Sequence, residues 1–592
     1  MPDSPLEWTD DGQPRSRAFG DVYFSAEDGL AETRAVFLDG CGLPGAWAAR
    51  RRFTVGELGF GTGLNIAALL DLWRRTRPAG GHLHVFSVEA FPVAAEEAAR
   101  ALARWPELAE VAGRLSARWP GRARRRHRVD LPELHATFDL AVLDVAEALA
   151  GWAGRADAWF LDGFAPAANP QMWTHEVLAL VAARSAPGAR AATFTVAGQV
   201  RRGLAVAGFA VDKRPGHGRK RERLEARLPG AAVDPPAPKV AIVGAGIAGA
   251  AATRAVRALG GEAALVEAVR PGAGGSGNPA ALVTPRLDAG LGEAAALFAQ
   301  AFARATTLYA AIPEAVIARG VLQLALEARD AGRFAKIAAS DLFEPGALEL
   351  LDPSAATARL GEPAPCGLDQ ATALVVDPAP ILAAWAAQTL TAAVAALSRD
   401  ADGWRLLDAQ GGEILRADAV VLAAALGARD LVPELPLQSV RGQASWTDTP
   451  AAIPAAAWGG YVLPTRTGLL FGATHDRDDA ECDVREADHV RNRDLLAAAL
   501  PRLAERLRGL PLTGRASVRA VTPDRLPIAG PLAAPGVFAL TGFGSRGFSL
   551  SPLLAEHVAA LALGAPSPVS LAAAALVAPD RFARRAARRI RS

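Results

Sequence analysis

Two clusters of closely spaced glycines could each hold a nucleotide cofactor. The first contains Gly59, Gly61 and Gly63, and the second contains Gly244, Gly246 and Gly249. Glycines at this spacing let the backbone bend sharply and approach a ligand without a Cβ clash. Each cluster also precedes a helical stretch, whose first N–H groups are free to bind a ligand. Both clusters therefore predict nucleotide-binding turns, although a plain tight turn between strand and helix is the alternative for each.

Acidic residues around the first turn favour S-adenosylmethionine (SAM). Glu89 ends the strand-like run that starts at His84, where a carboxylate can accept both ribose hydroxyls. Glu57 precedes the turn. This arrangement suits SAM better than a dinucleotide, because no pyrophosphate needs neutralising and the methionine amino group favours an anion. Asp144, after the run 140–143, is also predicted to bind SAM.

Asp162 is the predicted catalytic residue of the first half. It ends the run 158–161 and begins the loop Asp162-Gly-Phe-Ala-Pro-Ala-Ala-Asn-Pro170, in the position where open α/β sheets bind ligands. Methylation of an amine needs a neutral nitrogen lone pair in line with the methyl group. A carboxylate can orient the amine and help to draw off its proton. The alternative is that Asp162 only caps the following turn.

The second glycine turn matches a dinucleotide site more completely. Glu267 ends the run 263–267, about 20 residues beyond the turn, as a dinucleotide-binding unit requires. The pyrophosphate would lie at the helix N-terminus, and Glu267 would hold the adenosine ribose.

Segments far downstream favour FAD over NAD. The run Ala419–Leu422 leads to Gly427, and a later glycine turn contains Gly544 and Gly547. These segments are similar to the parts of the glycine and D-amino-acid oxidase family that return to the flavin. The loop with Ser276 and Asn278 stands where that family crosses the flavin.

Arginines are the predicted substrate-binding groups of the second half. Enzymes of that oxidase family oxidise a C–N bond next to a carboxylate. A bidentate arginine is the side chain best suited to hold the carboxylate. Arg525 and Arg546 are the catalytic candidates, with a structural ion pair or a solvated surface position as the alternative for either one.

The elements that must position these residues alternate between strand-like and helical runs. Strands are expected at 54–58, 84–88, 140–143, 158–161 and 191–195. This alternation predicts a mainly parallel sheet with helices on both faces. A Pro- and Gly-rich stretch, 229–238, is typical of a linker. We therefore expect a methyltransferase domain over 1–232 and an oxidoreductase domain over 238–592.

Composition narrows the class of protein. The 592 residues are 51% apolar and 21% charged, which is typical of globular domains, and the formal net charge is +2. Three distant cysteines favour a reducing cytosol over disulfides or a metal site. The sequence lacks a signal peptide and a membrane-length apolar run, so a soluble cytoplasmic protein is expected. Two basic runs, 122–128 and 581–591, are either solvated surface or phosphate contacts.

The chain resembles the bifunctional MnmC family in both halves. The motifs are Phe19-Gly-Asp-Val-Tyr-Phe-Ser25, Asp28-Gly-Leu-Ala-Glu-Thr33, Glu57-Leu-Gly-Phe-Gly-Thr-Gly-Leu-Asn65, Trp159-Phe-Leu-Asp-Gly-Phe-Ala-Pro166, Ser276-Gly-Asn278, Thr522-Pro-Asp-Arg-Leu-Pro527 and Gly544-Ser-Arg-Gly547. The resemblance implies a Rossmann-like SAM methyltransferase fused to a two-domain FAD oxidoreductase with an antiparallel-sheet substrate domain.

The same resemblance implies a two-step activity on the wobble uridine of tRNA. The C-terminal half would remove the carboxymethyl group of 5-carboxymethylaminomethyl-2-thiouridine, and the N-terminal half would methylate the resulting amine. Both basic runs would then be candidate tRNA contacts, and the base would unstack to enter either pocket. No obligate protein partner is inferred.

The chain departs from the family pattern at two places. Ala168 stands where the family has the lysine of a Lys-Asn-Pro. The segment Pro279-Ala-Ala-Leu-Val-Thr-Pro-Arg286 stands where the family favours Gln-Gly-Ala-Leu-Tyr-Pro-Lys. The second departure concerns the substrate contacts of that loop rather than the flavin fold.

Two other functions are compatible with the motifs. One is a free amino-acid oxidase fused to a small-amine methyltransferase, in which free glycine, sarcosine or D-amino acids would reduce the flavin without tRNA. The other is a non-catalytic tRNA-binding protein, which would bind neither FAD nor SAM.

Overall fold

The computed structural model describes residues 4–25, 27–218, 220–231, 233–234, 236, 238–449 and 453–591, with side chains described up to residue 587. The chain forms two compact units. The first contains residues 1–237, 258–260 and 564–571, and the second contains 238–257, 261–563 and 572–592. Ala232, the predicted end of the first domain, lies outside the described residues.

The first unit is built on one eight-stranded sheet. In spatial order its strands are Arg126–Leu131, Ala136–Ala141, His82–Val88, Arg52–Leu58, Ala156–Leu161, Ser185–Thr193, Glu222–Arg227 and Ala210–Pro215. The five strands from Ala136–Ala141 to Ser185–Thr193 are parallel, and Leu6–Trp8 pairs with Pro14–Ser16 separately. The helices are Gly29–Thr33, the π-helix Arg34–Asp39, Leu64–Thr76, Ala95–Leu102, Ala109–Ser116, Val145–Gly151, His175–Ala183 and Gly198–Val206.

The predicted parallel sheet is confirmed, with shifted strand ends. All seven residues of His82–Val88 are buried, as expected of a strand covered on both faces. The expected strand 140–143 instead spans Ala136–Ala141. The strand begins earlier than expected because it includes Thr137 and Asp139, which are polar but buried. A search for apolar runs alone therefore missed its first residues.

The second unit contains a parallel sheet that carries the second glycine turn. Its strands, in spatial order, are Thr389–Thr391, Glu262–Glu267, Lys239–Val243, Ala419–Leu422, Val537–Thr541 and Ile528–Pro531. All neighbours are parallel except the last pair. The predicted strands 239–243 and 419–422 are therefore adjacent, which brings Gly427 to the edge where the glycine turn lies.

A larger, mainly antiparallel sheet completes the second unit. Its strands are Ala281–Val283, Gly367–Val376, Val316–Leu324, Ala455–Ala457, Tyr461–Pro464, Leu469–Gly472, Gln438–Thr447 and Asp476–Arg477, with Leu348–Leu351 and Thr513–Val521 attached. A three-stranded sheet contains Ala396–Asp400, Gly403–Leu407 and Glu413–Ala417. The helices are Ile247–Ala258, Glu293–Ala310, Asp330–Ala338, Pro353–Leu360, Pro378–Trp385, Ala428–Leu431, Glu486–Ala499, Pro501–Arg506, Gly547–Leu563, Leu571–Val577 and Arg581–Arg591. Within the described ranges, no helix has the length and apolarity needed to cross a membrane.

The basic run 122–128 does not form an exposed basic face. Arg125, Arg126 and Arg128 are buried. Arg128 stands opposite Asp139 on the neighbouring antiparallel strand, and its Nε and Nη2 donate to the two carboxylate oxygens at 2.7 Å each. Such a bidentate buried pair is a structural contact. The expectation that the run is solvated or contacts phosphate is therefore wrong for Arg125, Arg126 and Arg128, whereas Arg122 is half-buried and Arg124 is exposed.

The C-terminal basic run is also partly structural. Arg581 begins the helix Arg581–Arg591 and is 3% exposed. Arg584 and Arg585 are half exposed and pair with Asp580 and Asp524. The side chains of Arg588, Arg589 and Arg591 lie outside the described residues.

Candidate active sites

Three of the predicted acidic residues meet at one edge of the first sheet. The strand Arg52–Leu58 lies between His82–Val88 and Ala156–Leu161, and the three run parallel. The carboxyl ends of parallel strands share one edge. Glu57, Glu89 and Asp162 therefore come together there, although 105 positions separate the first from the last in sequence.

Glu57 is a fully buried carboxylate with an unsatisfied oxygen. Its Oε2 accepts a 2.5 Å hydrogen bond from Ser87 Oγ, while no described group donates to its Oε1. Burial raises the pKa of Glu57 to about 8, and the negative charge of Asp162 adds to the shift. A buried acceptor without a donor fits a cationic ligand group such as an amino group.

Glu89, at the end of the strand His82–Val88, accepts a hydrogen bond from the backbone of the first glycine turn. Its Oε2 accepts from the Gly61 amide at 2.9 Å, and its Oε1 accepts from the Phe91 amide at 2.8 Å. Burial raises the pKa of this carboxyl. Gly59, Gly61 and Gly63 all have positive φ, between 53° and 87°, which disfavours a side chain at any of them. The helix Leu64–Thr76 begins directly after the turn.

Asp162 receives two hydrogen bonds that orient its carboxylate. Asn65 Nδ2 donates to Oδ2 at 2.7 Å, and the Gly163 amide donates to Oδ1 at 2.8 Å. Asn65 is itself fixed, because its Oδ1 accepts from Thr33 Oγ1 at 2.8 Å. Burial raises the pKa of Asp162 to about 6. The alternative, that Asp162 only caps the following turn, does not account for the hydrogen bond from Asn65, which lies on the helix Leu64–Thr76.

Asp144 lies at the same edge but makes a different contact. It follows the strand Ala136–Ala141, is exposed, and accepts from the Ala146 amide at 2.9 Å as the N-cap of Val145–Gly151. The structure thus brings Asp144 to the predicted edge and gives it a capping contact.

Aromatic residues of the N-terminal motif pack on the loop after Asp162. The ring of Phe164 lies 4.9 Å from Phe19 and 5.3 Å from Tyr23 between centroids. The Ala165 amide donates to Asp21 Oδ2 at 3.3 Å. The segment 19–23, which the sequence marked only as a family motif, therefore covers this edge of the sheet.

Lys220 is the cation whose charge acts on Asp162, lowering its pKa against the effect of burial. Its Nζ lies 2.7 Å from Glu32 Oε1 and 4.0 Å from the centroid of the Phe194 ring. Ala168, where the resemblance led us to expect a lysine, is exposed in a turn closed by its own amide and the Ala165 carbonyl. No motif pointed to Lys220, because it is remote from the loop in sequence.

The second glycine turn has the close backbone approach that requires glycine. Gly244 has a φ of 101°, and a Cβ on Gly249 would lie 1.7 Å from the Gly244 carbonyl oxygen. Glu267 Oε2 accepts from the Ala245 amide at 2.7 Å, and its Oε1 accepts from the Val269 amide at 3.2 Å. The turn, the helix Ile247–Ala258 and the acid thus adopt the arrangement of a dinucleotide site.

The loop 272–278 is tied both to this turn and to the strand Thr513–Val521. Ser276 Oγ accepts from the Ile247 amide at 2.9 Å, and Gly246 packs beside that hydroxyl. Arg515 Nη1 donates to Asn278 Oδ1 at 3.1 Å, and its Nη2 donates to the carbonyls of Ala273 and Gly274. Arg515 was not predicted from sequence, since nothing marked it apart from other arginines on strands.

The downstream glycines reach the same region. The Gly544 amide donates to the Ala520 carbonyl at 2.9 Å, and Gly547 starts the helix Gly547–Leu563 against Ile247. Gly427 ends the turn Ala425–Gly427, whose Ala425 carbonyl accepts from Thr541 Oγ1 at 2.9 Å. Segments 300 residues apart in sequence therefore come together around the second glycine turn. Residues 244–249, 425–427 and 544–547 form one cradle.

Arg525 and Arg546 belong to a cluster that also includes Arg286. Arg286 Nη1 donates to the Arg525 carbonyl at 3.0 Å, and Arg546 Nη1 donates to the Pro285 carbonyl at 3.3 Å. Burial lowers the pKa of Arg546 to about 10, and the charge of Arg286 contributes. Arg525 is exposed and Arg546 half-buried.

Comparison with known families defines the class of protein. The sequence model of a family of S-adenosyl-L-methionine-dependent methyltransferases matches residues 106–229. The sequence model of a family of FAD dependent oxidoreductases matches residues 239–561. An L-proline dehydrogenase from P. horikoshii shares the fold, with a TM-score of 0.50 and 16% identity over 59% of this chain and 99% of that one. The chain is thus a SAM-dependent methyltransferase joined to an FAD-dependent oxidoreductase.

Two relatives extend the match over the whole chain. The tRNA 5-methylaminomethyl-2-thiouridine biosynthesis bifunctional protein MnmC of Caulobacter sp. (strain K31) is 60% identical over 99% of this chain and 98% of its own. The protein of that description from Caulobacter vibrioides is 60% identical over 98% of each chain. The chain belongs to the MnmC family. The resemblance, the enzyme class and both cofactors expected from the sequence are thereby confirmed.

Proposed function

We propose that this chain carries out two consecutive reactions on the wobble uridine of tRNA. The second unit removes the carboxymethyl group of 5-carboxymethylaminomethyl-2-thiouridine, and the first unit methylates the aminomethyl product. The observation that carries the proposal is the pairing of two sites in one chain: a cationic cradle for a carboxylated amine and an acidic edge for an amine. A tRNA substrate implies that the protein acts in the cytoplasm.

The residues of the second unit fit FAD and a carboxylated secondary amine. Gly244, Gly246 and Gly249 form the turn before the helix Ile247–Ala258, at whose N-terminus a pyrophosphate would lie, and Glu267 is placed for the ribose. Ser276, Asn278, Gly427, Gly544 and Gly547 complete the proposed cofactor contacts. Bound FAD supplies the acceptor for a hydride from the carbon between amine and carboxylate.

The chain's own residues orient that substrate. Arg546 or Arg525 holds the carboxylate through a charge-assisted hydrogen bond, so the carbon to be oxidised is presented in one orientation. Loss of hydride and the amine proton gives an imine. Addition of water then releases the carboxylate-bearing fragment as an aldehyde and leaves the aminomethyl group on the base.

The residues of the first unit fit SAM and the amine product. Glu57, with its unsatisfied oxygen, would hold the methionine amino group. Glu89 would hold the ribose, beside Gly59, Gly61 and Gly63, and Asp144 lies at the same edge. Bound SAM supplies the methyl group. Asp162, held by Asn65, would orient the amine and accept its proton.

We further propose that the methyltransferase domain spans 1–232 and the oxidoreductase domain 238–592. The oxidoreductase site then acts first, although it lies second in the chain. Family membership supports this tRNA-modifying activity over a fused pair of small-molecule enzymes.

Nucleoside mass spectrometry of hypomodified tRNA tests the proposal. We expect the carboxymethylaminomethyl nucleoside to become the aminomethyl nucleoside on incubation with the FAD-loaded protein alone. The methylated nucleoside should form only after SAM is added. A wobble nucleoside that keeps its carboxymethyl group would exclude the oxidoreductase assignment, and reduction of the flavin by free glycine or sarcosine would favour the small-molecule alternative.

A further inference from the structure

The arginine cluster of the second unit carries more positive charge than one carboxylate can balance. Among the described residues, no carboxylate lies within ion-pair distance of the guanidinium groups of Arg286, Arg525 or Arg546. Arg286 also stacks over the ring of Phe298, 5.0 Å from its centroid. More positive charge lies near Arg525, since burial and then the charges of Arg519, Arg477 and Arg525 lower the pKa of His475, against the opposing charge of Asp476.

The acidic residue next to Arg525 in sequence, Asp524, forms ion pairs with other arginines. Asp524, which precedes Arg525, accepts from Arg581 Nε and Nη2 at 3.0 Å each. It also pairs with Arg585. Asp524 is therefore engaged by Arg581 and Arg585, and the three guanidinium groups of the cluster can bind an anion from outside the chain.

Arg525 is held in a strained backbone conformation. Its φ is 59°, in the left-handed region that non-glycine residues rarely adopt. The turn is closed on both sides, since Thr522 Oγ1 and Arg581 Nη2 both donate to the Leu526 carbonyl. Such strain persists where surrounding contacts impose it, and it is concentrated at functional sites.

We propose that Arg525 and Arg286 bind a backbone phosphate of the polynucleotide, while Arg546 binds the carboxylate of the base. Arg546 is more buried than Arg525 and lies between Gly544 and Gly547 of the cradle in sequence. Arg525 is exposed on a turn whose backbone carbonyl accepts from Arg286, and a phosphodiester is attached to the same nucleotide as the carboxylate. This inference rests on the proposed function and adds a second anionic group to its substrate.

Three substrates of increasing size test the assignment. They are the free nucleoside 5-carboxymethylaminomethyl-2-thiouridine, the same nucleotide with 5′ and 3′ phosphates, and hypomodified tRNA. Anaerobic bleaching of the flavin gives kcat/KM for each. We expect the bisphosphate to exceed the nucleoside by roughly tenfold or more, because a hydrogen bond between charged groups is worth about that factor.

Variants locate the phosphate contact. Arg525→Gln should reduce the bisphosphate-to-nucleoside ratio to near one, and Arg525→Lys should restore part of it. Arg546→Gln should lower kcat/KM for both substrates by a similar factor. Arg508→Gln, at an exposed arginine paired with Glu505, is the matched control and should keep the wild-type ratio. The flavin absorbance spectrum and melting temperature of each variant report whether it folds.

The outcomes separate this inference from the proposed function. A tRNA that wild-type protein leaves intact refutes both. If the tRNA is oxidised but kcat/KM is no higher for the bisphosphate than for the nucleoside, the phosphate site alone is refuted. Retention of the wild-type ratio in Arg525→Gln, with folding intact, also overturns it.

Discussion

Arg581 and Asp524 join the C-terminal helix to the turn that carries Arg525. Two hydrogen bonds of 3.0 Å connect the guanidinium to both carboxylate oxygens, and Arg581 is 3% exposed. The hydrogen bond and charge of Arg581 outweigh burial and hold the pKa of Asp524 well below its usual range. A basic tail that resembles a nucleic-acid contact thus begins with a structural anchor.

Arg581→Gln should destabilise the second unit and weaken substrate binding. Removing one partner of a buried ion pair costs about 3 kcal/mol, and the Arg525 turn loses its support. Thermal unfolding of the FAD-loaded protein checks the first effect, and a raised KM for the carboxylated substrate checks the second. Arg584→Gln, at a half-exposed pair with Asp580, should cost at most about 1 kcal/mol. Equal melting temperatures for the two variants would contradict the prediction.

SAM binding should release a proton from Glu57. The pKa of this buried carboxyl is raised to about 8, so at pH 7 it is mostly protonated before an amino group arrives. The ligand's positive charge favours the ionised form, and affinity should rise as pH increases from 6 to 8. Calorimetry in buffers of different ionisation enthalpy measures the released proton. Glu57→Gln should abolish the release, and an unchanged proton count would argue against the contact.

Asp162→Asn should abolish methylation and spare oxidation. The pKa of Asp162 is raised to about 6 by burial, and only the ionised carboxylate can accept a proton. The wild-type methylation rate should therefore rise with pH through about 6 under single-turnover conditions. Mass spectrometry of the product should show the aminomethyl nucleoside accumulating in the variant. Asp212→Asn, at an exposed strand position, serves as the control; methylation by Asp162→Asn at the wild-type rate would exclude the role.

Glu267→Gln should weaken FAD binding by roughly 10- to 100-fold, the range expected for a hydrogen bond to a charged group. Its position at the strand end, beside the Ala245 amide, is the reason. Titration of the apoprotein with FAD, followed by flavin fluorescence, gives the dissociation constant. Glu262→Gln changes an exposed glutamate at the other end of the same strand and should leave FAD binding intact. Similar losses in both variants would point to disruption of the strand instead.

Arg128→Gln should destabilise the first unit rather than selectively weaken tRNA binding. The buried bidentate pair with Asp139 would be broken, at a cost of about 3–5 kcal/mol. Arg118→Gln removes a half-exposed pair with Glu133 and should cost at most about 1 kcal/mol. Chemical denaturation compares the two. A folded, equally stable Arg128→Gln protein with reduced tRNA affinity would instead support a phosphate contact by this basic run.

The sequence alone determined both glycine turns, the acids that follow them and the family. These features are local, because a tight turn, a helix N-terminus and an acid at a strand end are each written in adjacent residues. The position of Glu57 therefore followed from local sequence, as did the strand that leads to Gly427, while that of Glu267 followed from the spacing of about 20 residues that a dinucleotide-binding unit requires.

Only the tertiary structure decided which charges are available to ligands. Arg128 and Arg581 look like surface cations in sequence, but strand pairing and helix packing bury them against Asp139 and Asp524. Asn65, Arg515 and Lys220 gained their roles from neighbours far away in sequence. Burial and long-range pairing set the pKa and the partners of a charged group, and neither is encoded in the residues beside it.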